Sequence, residues 1–405
     1  MKKVELLSPA GNMEKLKMVF RYGADAAYLG GKFFNLRALA GNFSNEEIVE
    51  AVKYAHSLGK KIYVTLNIIA HNNEIEKVAD YAKFLESAGV DAVIVADLGV
   101  FKIVRDNTDL EINVSTQASN TNWMSVKVWH EMGAKRIILA RELSLKEIRE
   151  IREKVPDVEL EVFIHGAMCM SISGRCLLSN YLTGRDANRG ACAQPCRWKY
   201  HLVEENRPGE YYPIYEDERG TFIMNSRDLC TIEFIDQILD TGIDSLKIEG
   251  RMKGIYYGAI VTKVYREAID KYYEGNFKYD PKWMEYLNSV SNRKYTKGFF
   301  FGNPGAEGQN YDSSSYNKTH EIVAKVLGKS RDGKSILEIR SKIAVGEEVE
   351  IIKPVGDPIK IKMPEMIKMR KGQEEGKIEM ANPNVIVKVD LDLEEMDILR
   401  KKLQK

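Results

Sequence analysis

Residues 44–67 read SNEEIVEAVKYAHSLGKKIYVTLN and hold one complete unit of the fold. Ser44 and Glu47 stand three apart before an apolar run, the signature of a capping box. Ile48, Val49, Val52 and Ala55 fall at i, i+1, i+4 and i+7, so residues 45–58 are expected as an amphipathic helix. Gly59 follows as a helix stop. Residues 61–67 then form a short, nearly continuous apolar run, as in a strand buried on both faces.

The same alternation extends in both directions. Strands are expected at residues 4–7, 26–29, 61–67, 92–96, 112–116, 136–140, 159–164 and 245–249. Helical patterns at 74–87, 121–132 and 144–153 separate several of them, and Gly23 and Gly133 punctuate others. Eight strand–helix units predict an α/β fold, a TIM-type (β/α)8 barrel over residues 1–275; a doubly wound open sheet is the alternative. Between the seventh and eighth strands lie about eighty residues, a length that usually signals function. They form a Cys-rich insertion at about 167–225, and residues 201–204, 211–214 and 221–224 read as a small antiparallel element.

A helix over 256–273 closes the first part. Residues 276–318, rich in Tyr, Asn, Gly and Ser, are expected as a connector. Short strands at 322–327, 335–339, 348–352, 359–362 and 385–389 predict a small antiparallel β-barrel over 319–405. Residues 393–405 are expected as a short exposed helix.

The chain has 405 residues, 44% hydrophobic and 29% charged, which is globular composition and excludes a disordered or coiled-coil chain. Lys plus Arg is 60 against 59 acidic residues, a net charge of +1. That argues against a dedicated non-specific nucleic-acid binder but leaves room for a local basic face. The first residues, MKKVELLSPAG, lack the apolar region of a signal peptide, and no apolar run reaches the ~18 residues of a membrane span. A cytoplasmic protein without membrane contact is expected.

Five cysteines, an odd number, do not suggest a disulfide framework. Cys169, Cys176, Cys192 and Cys230 follow the spacing C-x6-C-x15-C-x37-C, and Cys196 makes C-x3-C with Cys192. Soft thiolates select iron–sulfur clusters, zinc and copper(I), and four suffice for a cluster or for structural zinc. The wide loops favour a cluster. Zinc, or reduced cysteines packed in the core, are the alternatives. Cys230 is expected to open a helix after Ser226-Arg227-Asp228, where a helix N-terminus stabilises a thiolate; simple packing under that helix is the other reading.

Glu161-Val-Phe163-Ile-His165-Gly166-Ala167-Met168-Cys169, followed by Gly174-Arg-Cys176-Leu-Leu-Ser179, resembles the signature of the peptidase U32 family. So do Thr183-Gly-Arg185-Asp-Ala-Asn-Arg189-Gly190-Ala-Cys192-Ala-Gln-Pro-Cys196-Arg197-Trp198, Leu7-Ser-Pro-Ala-Gly11, Asn225-Ser-Arg227-Asp228-Leu229 and Lys247-Ile-Glu249-Gly250-Arg251. The resemblance covers essentially the whole chain. The family name implies a collagenase-like peptidase or a peptide-binding protein. Yet His130-Glu131 and His320-Glu321 lack the second His of H-E-x-x-H, and no G-x-S-x-G elbow is present.

Other members are oxygen-independent hydroxylation factors with a [4Fe–4S] cluster, acting on tRNA, ribosomal RNA or a quinone precursor. The two-part layout and the Cys192–Cys196 pair most resemble the tRNA-acting members. That resemblance implies prephenate-dependent hydroxylation at C5 of the wobble uridine. Its partners would be tRNA, prephenate and an electron donor or cluster-delivery protein. Carried over by position, Cys169, Cys176, Cys192 and Cys230 are the ligands, with Cys196 as the alternative to Cys230.

In a barrel of this type, substrate groups come from the C-terminal ends of strands. Asn67, Asp97, Gln117, Arg141, His165, Lys247, Glu249 and Arg251 all follow apolar strand runs. His165, Glu249 and Gln117 are the catalytic candidates. Arg141, Arg227 and Arg251, with Asn67 and Lys247, are candidates for binding substrate. A dianion such as prephenate would be gripped by guanidinium forks. Ion pairs of Arg251 with Glu249 or Arg141 with Glu142, and a purely structural His165, are the plainer readings. Arg175, Arg185, Arg189 and Arg197, with Trp198, suit an RNA backbone and stacked bases; a solvated loop is the alternative. Lys360, Lys362, Lys368, Arg370 and Lys371 give the C-terminal module one basic edge.

Overall fold

The computed structural model describes residues 3–35, 41–169, 171–172, 175–198, 216–217, 220–221, 226–308, 310 and 316–403. Its larger sheet contains β1 (Glu5–Pro9), β2 (Ala26–Leu29), β3 (Lys61–Leu66), β4 (Ala92–Val95), β5 (Glu111–Val114), β6 (Arg136–Ile138), β7 (Glu159–Ala167), β8 (Asp228–Cys230), β9 (Ser245–Ile248) and β10 (Tyr295–Thr296). Strands β1 to β7 pair in sequence order, all parallel. β9 pairs in parallel with both β7 and β1, which closes the ring. The result is an eight-stranded parallel barrel. The open sheet is excluded by that closure.

The strands are buried almost end to end, as their apolar runs require. Helices α1 (Met13–Arg21), α2 (Asn45–Ser57), α3 (Asn72–Ser87), α4 (Leu98–Asn107), α5 (Trp123–Glu131) and α6 (Leu145–Lys154) return the chain between strands. The Ser44–Glu47 capping box forms as the spacing implied: the Ser44 N–H donates to Glu47 Oε2 at 2.7 Å, and the Glu47 N–H to Ser44 Oγ at 3.2 Å. Ser144 and Glu147 repeat it on α6. Asp97 accepts from the Val100 N–H at 3.0 Å. It is the cap of α4, so this strand-end residue serves the helix.

The insertion after β7 carries α7 (Leu178–Thr183) and returns along β8, which pairs antiparallel with the end of β7. The expected strands at 201–204 and 211–214 and residues 222–224 lie outside the described residues. Glu216–Asp217 pairs with Gly220–Thr221. α8 (Ile235–Leu239) precedes β9, and α9 (Ile255–Tyr273) follows it.

The segment expected as a connector is built into the barrel. It forms α10 (Pro281–Ser289), whose Trp283 and Leu287 are buried in the barrel core, and β10, which pairs with β8. Asp280 caps α10 with Pro281 at its first position, a start signal legible in the sequence.

The C-terminal module is an eight-stranded antiparallel sheet. Its spatial order is Ile359–Lys362, Glu348–Ile352, Ile398–Lys402, His320–Lys329, Ser335–Ile339, Ile386–Val389, Met366–Arg370 and Gln373–Ile378. It encloses its own apolar core, including Val326, Leu337, Met366 and Leu399. Among the described residues no ladder joins its two edge strands, so it is a sheet around a core and not a hydrogen-bonded ring. Where a terminal helix was expected, Ile398–Lys402 is a strand flanked by two others. Ile398 and Leu399 are fully buried there, and two ladders outweigh the local preference of a short charged segment.

The module docks on α1 and α9. The Tyr22 hydroxyl donates to the Ile352 carbonyl at 2.8 Å, and Arg400 donates to the Tyr256 hydroxyl and Ser289 Oγ at 3.0 and 3.1 Å. Lys263 donates to the carbonyls of Pro354 and Gly356. No described helix is long and apolar enough to cross a membrane.

Candidate functional site

A cavity of about 920 Å³ opens at the C-terminal ends of the barrel strands, roofed by the Cys-rich insertion. Its floor and walls include Asn67 after β3, Gln117 after β5, Arg141 after β6, and Lys247, Glu249 and Arg251 at and after β9. These six strand-end candidates are brought together. Among the described residues, seven basic side chains (Arg141, Arg175, Arg185, Arg197, Lys247, Arg251 and Lys253) line it against two acidic ones, Glu142 and Glu249. Such a wall favours an anionic ligand.

The cationic groups are held by defined contacts. Lys247 Nζ lies 2.9 Å from Glu161 Oε1 and 4.5 Å from the centre of the Tyr28 ring. Burial opposes the Glu161 charge, but Lys247 and Arg136 outweigh it and hold the carboxyl below the usual range. Arg251 is buried and donates to Thr65 Oγ1 (3.2 Å), Asn35 Oδ1 (2.5 Å) and Asn42 Oδ1 (3.0 Å). A Cβ at Gly30 would strike the Arg251 guanidinium, so glycine there makes room for it. Arg141 lies 3.9 Å over the Phe163 ring, donates to the Ala167 carbonyl at 2.6 Å and faces Glu249 at 3.7 Å. Its acidic neighbour across the cavity is thus Glu249, supplied by another strand. Among the described residues, the Arg141 Nε and Asn67 Oδ1 are buried without a partner, while Asn67 Nδ2 donates to Gln117 Oε1 at 3.1 Å. Polar atoms left unpaired in a cavity wall suit a bound polar ligand.

Two candidates lie elsewhere. His165 is 1% exposed and is not part of the cavity wall. It packs among the Tyr257, Tyr265 and Tyr295 rings, with Nδ1 3.4 Å from the Tyr265 hydroxyl. Burial, with the Lys253 charge nearby, pushes it down to about 3, so it is neutral at physiological pH. Gly166 beside it has φ +111°, and a Cβ there would strike the Glu249 carbonyl. The β7–β9 ladder shifts register here, pairing Lys247 with Phe163 but Ile248 with His165, so His165 takes the face of Ile248 and not that of Lys247. Arg227 also lies outside the wall, its backbone N–H donating to the Gly308 carbonyl at 2.9 Å.

The thiols divide four to one. Cys169, Cys176, Cys192 and Cys196 all line the cavity. Burial raises the Cys196 thiol, and the other three thiols add to that rise. Cys230 is 5% exposed and pairs with His165 on β7. Its Sγ lies 3.8 Å from the Tyr265 hydroxyl, and burial pushes it up to about 12. The expected helix opening at Cys230 is instead a strand. A short 3-10 turn at Ile232–Phe234 and then α8 follow at once; the Ile232 N–H favours the thiolate, but burial outweighs it.

Four thiols around one cavity match a soft-metal or iron–sulfur site in donor type and number. Among the described residues no three His, Cys, Asp or Glu side chains are drawn together tightly enough to hold a metal ion as they stand.

Of the basic candidates on the insertion, Arg175, Arg185 and Arg197 reach the cavity. Arg189 instead grips Glu74 of α3 through two bonds of 2.7 Å. Trp198 is 45% exposed, just beyond the wall. Lys253 and Tyr316 were not anticipated; they share the wall, with the ammonium 3.7 Å over the ring. Lys253 lies in the turn after β9, closed by its N–H to the Gly250 carbonyl at 2.8 Å, where Gly250 to Lys253 all line the cavity, so no strand period announced it.

Two family models match the chain. Peptidase family U32 matches residues 11–310, and the peptidase family U32 C-terminal domain matches residues 318–400. The tRNA hydroxylation protein P1 of Bacillus subtilis is 46% identical over 357 residues, 87% of this chain and 84% of that protein. The tRNA hydroxylation protein P of Escherichia coli is 38% identical over 396 residues, 88% and 87% of the two chains. A protein of Porphyromonas gingivalis named collagenase is 31% identical over 365 residues, 86% of each. With both models matched in order along the chain and relatives this similar over most of their length, the chain belongs to the peptidase U32 family.

Proposed function

We propose that this protein is a tRNA-modifying enzyme that hydroxylates C5 of the wobble uridine in an oxygen-independent, prephenate-dependent reaction. The observation that carries the reading is the single cavity in which four thiols face a strongly cationic barrel mouth. The names of the B. subtilis and E. coli relatives point to the same class of substrate. Cys169, Cys176, Cys192 and Cys196 would hold a [4Fe–4S] cluster. When bound, that cluster supplies electron transfer or a Lewis-acid iron.

Arg141, Lys247 and Arg251 would bind the carboxylates of prephenate, since guanidinium and ammonium groups held in a partly dry site grip dianions firmly. Asn67 and Gln117 offer an amide pair to orient a uracil edge or a substrate hydroxyl. Glu249 is the cavity carboxylate that would move a proton, with the Arg141 guanidinium 3.7 Å away. An electron donor or cluster-delivery protein would be the remaining partner.

Nucleoside mass spectrometry of tRNA from a deletion strain tests the reading. Loss of 5-hydroxyuridine derivatives, restored by the wild-type gene, is expected. Unchanged levels in a strain without a paralogue would overturn it. Metal analysis of anaerobically purified protein is the second arm. Iron with equal acid-labile sulfide is expected, and zinc without sulfide would overturn the cluster.

A further inference from the structure

The Cys-rich insertion exposes apolar side chains in a group. Ile172 is 64% exposed, Leu177 74% and Tyr181 85%. Scattered exposed apolar residues are ordinary, but several on one segment mark an interaction surface. The Tyr181 N–H donates to the Leu177 carbonyl at 2.9 Å, so the two stand one turn apart on the same side of α7. Leu177 is also part of the cavity wall. α7 packs on the turn Pro195–Arg197, which leads into the exposed Trp198. An apolar and aromatic track therefore runs outward from the rim of the thiol cavity.

Charge narrows the occupant. Within residues 169–198 the basic side chains are Arg175, Arg185, Arg189 and Arg197, and Asp186 alone is acidic. Arg189 is spent on Glu74, which leaves three guanidiniums on the cavity wall beside the track. Cationic groups interleaved with aromatic faces fit a single-stranded nucleic acid, whose bases stack while its phosphates meet arginine. A duplex buries its base faces and could use only the arginines.

We propose that Leu177 and Tyr181 form a stacking platform for an unpaired nucleotide of the RNA. It would lie next to the nucleotide entering the cavity, with Arg175, Arg185 and Arg197 on the surrounding phosphates. The inference rests on the tRNA-modification reading and names the surface that would receive the loop.

Fluorescence anisotropy of the full-length, anaerobically purified protein with a labelled RNA hairpin, and with a duplex of the same length, tests it. Tyr181→Ala should weaken hairpin binding about ten-fold, in the range of one lost base stack, and leave duplex binding within about two-fold. Tyr181→Phe should restore it. Equal weakening for both RNAs, or none for either, would overturn the platform, as would a loss in Tyr181→Ala that Tyr181→Phe does not rescue. Complementation separates the two claims. If Tyr181→Ala restores the tRNA nucleoside as fully as wild type and binds the hairpin normally, the platform fails while the tRNA reading stands. If the wild-type gene restores nothing and the protein binds no RNA, the reading itself fails and the platform with it.

Discussion

Lys247 and Glu161 meet inside the barrel, ammonium to carboxylate at 2.9 Å, both almost completely buried. The pair continues through Arg136, which lies 3.1 Å from Glu161, 2.6 Å from Glu5 and 2.8 Å from Glu159. The positive charge on the cavity floor is thus held from below by carboxylates on other strands. A strand-end lysine without them would lose charge on burial.

Removing Glu161 leaves Lys247 and Arg136 short of a buried counter-charge. Glu161→Ala is expected to cost about 3–5 kcal/mol in urea unfolding, the usual penalty for breaking a buried pair. The Glu161 carboxyl titrates below its ordinary range, so its contribution is complete above the unfolded glutamate pKa and is lost as pH falls through the lowered folded one. Acid unfolding of the variant should accordingly show a shallower pH dependence than wild type.

Cys230 and Cys196 should behave oppositely. Cys196→Ala, like Cys169→Ala, Cys176→Ala and Cys192→Ala, is expected to lose iron and sulfide and to fail in complementation. Cys230→Ala should keep both, at a stability cost of about 1 kcal/mol for a small buried void. A Cys230→Ala protein that cannot retain iron, beside a Cys196→Ala protein that can, would return Cys230 to the ligand set.

The Arg189–Glu74 fork ties the insertion to α3. Its side chains are partly exposed, so Arg189→Ala should change global stability by less than about 1 kcal/mol. The local effect should be larger, with faster limited proteolysis between residues 169 and 198. Glu74→Ala should give the same cleavage pattern. Hydrogen bonding from Arg189 holds the Glu74 carboxyl below its usual range, so the clamp stays closed at neutral pH and opens only in acid.

His165 is neutral at working pH, with its pKa pushed down to about 3. Between that value and the ordinary value near 6.5 the unfolded chain binds a proton that the folded chain does not. Stability should therefore fall as pH drops through this window, by at most about 1.4 kcal/mol per pH unit from this one group. His165→Gln should flatten the slope in a urea–pH series. It should leave the shape of the pH–rate profile between pH 6 and 8 unchanged.

The barrel and most of its mouth were legible because both rest on short-range rules. A capping box, an apolar stripe, a glycine and an apolar run recur along the chain, and a strand's C-terminal end in this fold faces the site. Asn67, Gln117, Arg141, Lys247, Glu249 and Arg251 followed from that rule alone. His165 met the same rule and failed it, because the register shift between β7 and β9 moves it off the face that Phe163 and Lys247 share. The helix at Pro281–Ser289 was overlooked although Asp280-Pro281 announced it. The strand at Ile398–Lys402 carried no such local signal; its partners lie about fifty and seventy-five residues earlier in the chain.

By itself the sequence determined the eight βα units, the inventory of thiols and the concentration of arginine around them, since each is a property of neighbouring residues. Which four cysteines share a cavity was decided only by the tertiary structure. Cys196 and Cys230 are equally good thiols in the sequence. One lies on a turn facing the cationic mouth, and the other on a strand whose ladder with His165 packs it against Tyr265. Burial and strand pairing distinguish them, and both depend on contacts between residues far apart in the chain.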